Sequence, residues 1–92
     1  MSGTIRRRVL FSGNVQGVGF RYTAYQLAQG YRVGGYVKNL PDGRVELVAE
    51  GATDEVRRFI EALEDQMRAH IRGASATDEP SASPSQHFSV AH

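Results

Sequence analysis

The sequence predicts an α+β sandwich, one antiparallel sheet with two helices on one of its faces. Three observations predict it. Two stretches, 20–29 and 53–68, carry apolar residues at helical spacing. Around them run short segments in which apolar and polar residues alternate, as they do in half-buried strands. A Pro-Asp-Gly turn at 41–43 joins two of those segments directly and makes them a hairpin. The resulting order, βαββαβ with room for a short extra C-terminal strand, is the ferredoxin-like arrangement.

Met1 to Thr4 reads as a loose start, and Ile5 to Ser12 as the first strand. Val9 and Phe11 share one face of that strand, and Arg8, Leu10 and Ser12 the other. The basic run Arg6-Arg7-Arg8 reads as a solvated strand edge. Gly13 to Gly19 is a loop. Phe20 to Gln29 follows as a helix, with Phe20, Ala24, Leu27, Ala28 and Tyr31 on one side and Gly30 placed as its stop. Val33 to Asn39 is the second strand, in which Gly34-Gly35 marks a weak or closely packed point. After the turn, Arg44 to Glu50 is the third strand, with Val45, Leu47 and Ala49 on one face.

Gly51-Ala52 reads as a short link, and Thr53 as the N-cap of the second helix. Asp54 and Glu55 place negative charge in its first turn, where the helix dipole favours it. Val56, Phe59, Ile60, Leu63 and Met67 form the clearest apolar stripe in the chain. Such a stripe faces a core and is assigned no chemistry. Ile71 to Thr77 is the expected fourth strand, although its serines and alanines pack poorly. Asp78 to Gln86 is rich in serine and proline and reads as a loop. His87 to Ala91 is a short edge strand with Phe88 and Val90 inward.

With 92 residues and no internal repeat, residues 1–92 are expected to form a single domain. Eleven basic against 10 acidic residues leave a net charge of +1, too little for a general nucleic-acid binder. There is no cysteine, hence no disulfide, thiol nucleophile or thiolate metal site, which fits a cytoplasmic protein. No signal peptide and no membrane span is visible. A monomer is expected.

The chemistry gathers at Gly13-Asn14-Val15-Gln16-Gly17-Val18-Gly19-Phe20-Arg21. Its three glycines allow a backbone path closed to residues with a Cβ. Placed before a helix, that path can aim the N–H groups of Val15, Gln16, Gly17, Val18, Gly19 and Phe20 at one anion. A cation at a helix start is unfavourable unless an anion lies beside it, so Arg21 points to a bound phosphate. Its planar fork can hold two oxygens at once. Asn39 ends the second strand, and its amide can hold a water. Taken singly, the loop is also consistent with a tight turn and Asn39 with a turn residue.

The two stretches hold no histidine, no cysteine and no pair of carboxylates. Asp42 reads as a turn residue, and His70, His87 and His92 lie far along the chain. No metal-ligand cluster and no cofactor motif is visible. A site with donors and no base suits a substrate that already carries a good leaving group.

Gly13-x-Val15-Gln16-Gly17-Val18-x-Phe20-Arg21 resembles the first signature of the acylphosphatase family. Gly35-Tyr36-Val37-Lys38-Asn39-Leu40-Pro41-Asp42-Gly43-Arg44-Val45, followed by Gly51, resembles the second. The resemblance covers about residues 5–51 and implies the ferredoxin-like fold. It implies metal-independent hydrolysis of small acyl phosphates to a carboxylate and inorganic phosphate. It further implies Arg21 as the phosphate binder and Asn39 as the holder of the nucleophilic water. The C-terminal third departs from the family, whose fourth strand tends to be more apolar than Arg72-Gly73-Ala74-Ser75-Ala76-Thr77.

Two other classes compete. RNA binding on the sheet would need exposed aromatics in a pattern this chain lacks. A regulatory module with an intact but unused site would differ from an enzyme only in turnover.

Overall fold

A computed structural model describes residues 3–92; the loose start expected at Met1 and Ser2 lies outside them. The chain runs β1 (Thr4–Gly13), α1 (Phe20–Ala28), β2 (Val33–Asn39), β3 (Val45–Ala52), α2 (Thr53–Gln66), a 3₁₀ turn (Arg68–His70), β4 (Ile71–Pro80) and β5 (Phe88–Ala91). The strands form one five-stranded sheet in the order β4-β1-β3-β2-β5. Four strands pair antiparallel, and β5 joins β2 in parallel, so the sheet is mixed. The fold is the expected ferredoxin-like α+β sandwich, with the extra strand present.

Alternation puts Val9, Phe11, Val37, Val45, Leu47 and Ala49 on the face that the helices cover, and all are buried. Phe20, Ala24 and Ala28 from α1 and Val56, Phe59, Ile60 and Leu63 from α2 complete that core. Phe88 of β5 adds an edge-on contact to Phe59, ring centroids 5.4 Å apart. Each such aromatic pair adds about 0.5–1.5 kcal/mol beyond burial.

The other face is polar and paired. The Arg8 Nε donates to Glu46 Oε2 at 2.5 Å, and the Tyr36 hydroxyl donates to Glu46 Oε1 at 3.0 Å. Burial alone would raise the Glu46 carboxyl, but these two bonds and the nearby cations outweigh it and hold it below its ordinary range. Arg6 points to this face too and reaches Glu79 at 3.2 Å, while Arg7, on the helix side of β1 with Val9 and Phe11, grips Asp78 with two bonds of 2.7 and 2.9 Å. The basic run is therefore not a strand edge. β1 lies inside the sheet, and each arginine of the run meets a carboxylate on a neighbouring strand.

Those pairs also explain why β4 continues to Pro80, where serine and proline suggest a loop from Asp78 onward. Cross-strand ion pairs and backbone bonding to β1 hold a strand that has almost nothing to bury. Other boundaries also differ from expectation, among them the end of α2, which falls at Gln66 and not at Arg68. β3 runs through Gly51 and Ala52 instead of ending at Glu50. Thr53 is inside α2, and its hydroxyl donates to the Gly3 carbonyl at 3.0 Å instead of capping the helix. α1 stops without a left-handed glycine: Gly30 and Tyr31 donate to Leu27 and Ala28 in a tightened last turn.

Residues 81–87 carry the chain from β4 at one edge of the sheet to β5 at the other. Ser81 donates its N–H to the Thr4 carbonyl and its hydroxyl to Glu50 Oε1. The Gly35 N–H bonds the His87 carbonyl at 2.9 Å. Gly34 is required here by close approach, since a Cβ would fall 2.1 Å from the Ser85 carbonyl oxygen.

Candidate functional site

β1 and β3, and β3 and β2, are antiparallel, while β5 is parallel to β2. Hence β1, β2 and β5 all run toward the same end of the sheet. The loop after β1, Asn39 at the end of β2, the start of α1 and Ala91 at the end of β5 meet there. A cleft of about 190 Å³ opens at this end, lined by Val15, Gly17, Gly19, Phe20, Arg21, Tyr22 and Asn39.

The loop takes its shape from two left-handed glycines, Gly17 with φ +78° and Gly19 with φ +79°. Gly19 is also the N-cap of α1, and its carbonyl accepts the first helical bond from Thr23 at 2.9 Å. No side chain caps this helix, and no acidic residue stands in its first turn. Its positive end is thus left to whatever occupies the cleft. A Cβ on either glycine would meet nothing within 4 Å, so substitution acts through backbone conformation alone. Gly17→Val and Gly19→Val are expected to cost about 1–3 kcal/mol each in denaturant unfolding and to depress any turnover at the cleft. Unfolding free energies equal to the parent's would refute the strained-loop account.

Val15 and Phe20 are fully buried and pin the two ends of the loop to the core, where Phe20 meets Phe11 at 5.1 Å. Gln16 and Val18 do not line the cleft. Val18 packs against the core, and the Gln16 amide donates both hydrogens across to the β2–β3 turn, at 2.8 Å to the Leu40 carbonyl and 2.9 Å to the Arg44 carbonyl. Gln16 thereby ties the first motif to the second. In that turn Asp42 accepts from the Arg44 N–H at 3.0 Å and from its Nε at 2.8 Å, as a turn aspartate does. The backbone bond from Arg44 is the largest influence holding its carboxyl below the ordinary range.

Arg21 is half-buried. Its Nη1 donates to the Ala91 carbonyl at 3.3 Å and lies 3.3 Å from His92 Nδ1. No carboxylate among the described residues pairs with it. Asn39 Oδ1 is buried and has no hydrogen-bond partner. Buried polar atoms are satisfied in the great majority of cases, and an orphan at a cleft marks a place where a small polar species completes the shell.

Of the residues the sequence singles out, Val15, Gly17, Gly19, Phe20, Arg21 and Asn39 are brought together. The sequence places all three histidines away from the motifs, but His92 stands beside Arg21 because β5 returns to β2. Tyr22 is a lining residue that sequence reasoning missed. Its signal is an aromatic next to Arg21 that falls off the apolar side of α1.

Comparison with known proteins agrees with this fold. The acylphosphatase family model matches residues 7–90. The chain belongs to the acylphosphatase family. An acylphosphatase of Rubrobacter xylanophilus is 42% identical over 90 residues, covering 95% of this chain and 80% of that protein. One of Methanospirillum hungatei is 45% identical over 67 residues, covering 73% of this chain and 74% of that protein. The crystal structure of an acylphosphatase from Bacillus subtilis superposes with a TM-score of 0.84 at 33% identity, over 96% of this chain and 99% of that one. Family and fold together support a hydrolase acting on small acyl phosphates.

Among the described residues no helix is long and apolar enough to cross a membrane, and no three metal-ligating side chains cluster.

Proposed function

We propose that this chain splits the carboxyl–phosphate bond of acyl phosphates with Arg21 as phosphate binder and Asn39 as holder of the attacking water. One observation supports this above the others: an arginine without a carboxylate and an asparagine with an orphaned Oδ1 line the same small cleft at an uncapped helix start. The phosphoryl oxygens lie against the amides of the loop from Val15 to Phe20 and the Arg21 fork. Asn39 Oδ1 accepts a hydrogen bond from the water and aims its oxygen at phosphorus. The new P–O bond forms as the bond to the carboxylate oxygen breaks. The carboxylate leaves without a proton, and a phosphoryl oxygen takes the proton of the water. The site supplies position and charge, and no general base is needed.

The same proposal takes residues 1–92 as one domain acting as a cytoplasmic monomer without nucleic acid, metal or cofactor. The test is phosphate release from acetyl phosphate in excess chelator. Steady turnover there is the expected result. No turnover with or without magnesium would leave a binding module, and turnover restored only by magnesium would replace the mechanism.

A further inference from the structure

The loop from Val15 to Phe20 meets phosphate through its backbone, which leaves the Gln16 side chain for another task. We propose that this side chain is a positioning residue for the attack: it sets the distance between the phosphate cradle and Asn39, and it touches neither phosphate nor water. This role rests on the phosphate-cleft reading above and extends it.

The Gln16 amide reaches the two residues that close the β2–β3 turn, at 2.8 Å to the Leu40 carbonyl and 2.9 Å to the Arg44 carbonyl. Leu40 follows Asn39 in the chain, so a bond to it holds the end of β2, where the water is assigned. Among the described residues, no other hydrogen bond joins residues 14–19 to residues 39–44. The turn has its own bonds, from the Leu40 N–H to the Arg44 carbonyl and from the Gly43 N–H to the Leu40 carbonyl. Each occupies one lone pair of its acceptor, and the two hydrogens of the Gln16 amide take the lone pairs that remain. A glutamate or leucine of similar size has no donor to offer them. Phosphorus rests on the loop and the water on Asn39, so their separation is the distance between two pieces of chain. The cradle, pinned by the buried Val15 and Phe20, keeps its grip on phosphate without the tie. The spacing for attack does not, and a misplacement of about 1 Å can cost about 10²-fold in rate.

The test is Gln16→Leu, which keeps the bulk and loses both donors. Its kcat for acetyl phosphate is expected to fall about 10–10²-fold while inorganic phosphate inhibits with nearly unchanged affinity. A tie that served folding alone would lower the unfolding free energy and leave kcat at the parental value, and that result would overturn the role. In an Asn39→Ala background, Gln16→Leu should lower kcat by no more than about twofold, because the two residues act as a unit. Losses that multiply in full in the double variant would overturn the action through Asn39. A titration of the parent with inorganic phosphate, followed by amide NMR, needs no variant. The backbone amide signals of residues 15–20 are expected to move together with those of Leu40, Gly43 and Arg44. Movement of the loop signals alone would overturn the tie and leave the phosphate-cleft reading standing. No movement at all would overturn both.

Discussion

Arg21→Ala is expected to lower phosphate release from acetyl phosphate by about 10²–10³-fold and to weaken inhibition by inorganic phosphate alongside it. Arg21 lines the cleft, no carboxylate among the described residues pairs with it, and its Nη1 is steadied by the Ala91 carbonyl. One end of the fork is thus fixed while the rest is free to take phosphoryl oxygens in a two-pronged contact. Lysine offers a point charge on a flexible stem, so Arg21→Lys is expected to fall nearly as far. Folding should be little affected. Removing a cation from a helix start gains up to ~1 kcal/mol, and losing the bond to Ala91 costs about as much. Steady-state kinetics with phosphate inhibition read both effects, and near-parental activity in the lysine variant would remove the two-pronged role.

Asn39→Ala is expected to lower kcat about 10²–10³-fold while inorganic phosphate competes with nearly unchanged affinity. Phosphate and water are assigned to different residues, so the two parameters should separate. The orphaned Oδ1 gives the physical reason: Asn39 lines the cleft, its buried Oδ1 has no protein partner, and water is the smallest group that completes it. Asn39→Asp should not restore the rate, because a carboxylate, although it can accept from the water, repels the anionic substrate. Parental activity in Asn39→Asp would make residue 39 a base or a bystander. Loss of phosphate binding in Asn39→Ala would move Asn39 into the cradle and leave the water to another group.

Much of this fold is written in local pattern. The stripe of α2, the alternation of Val45, Leu47 and Ala49, and the Pro-Asp-Gly turn are each decided by neighbours a few residues away. What escaped is decided by distant partners. β4 extends to Pro80 because Asp78 and Glu79 stand opposite Arg7 and Arg6, a match that exists only once the strands are paired. Thr53 has the chemistry of a cap but spends its hydroxyl on Gly3, because β1 begins beside it. At the site, the cleft-lining residues of the first motif were legible because glycine and arginine at a helix start are locally costly. The stapling role of Gln16 and the arrival of His92 were not, since each depends on a contact made across the sheet end.

The parallel strand β5 carries a further consequence. It is four residues long, has one neighbour, and is reached only by the 81–87 crossing. Short edge strands with few partners open by local unfolding far more often than the molecule unfolds as a whole. Ala91, which steadies Arg21, rides on that strand. The cradle loop is anchored by the buried Val15 and Phe20, and Asn39 ends a strand paired to β3, while the tether of the arginine lies on a short edge strand. Opening of β5 would therefore release the tether of the arginine without unpairing β2 from β3, and an anion bridging Arg21 to the loop amides would couple that margin to the core.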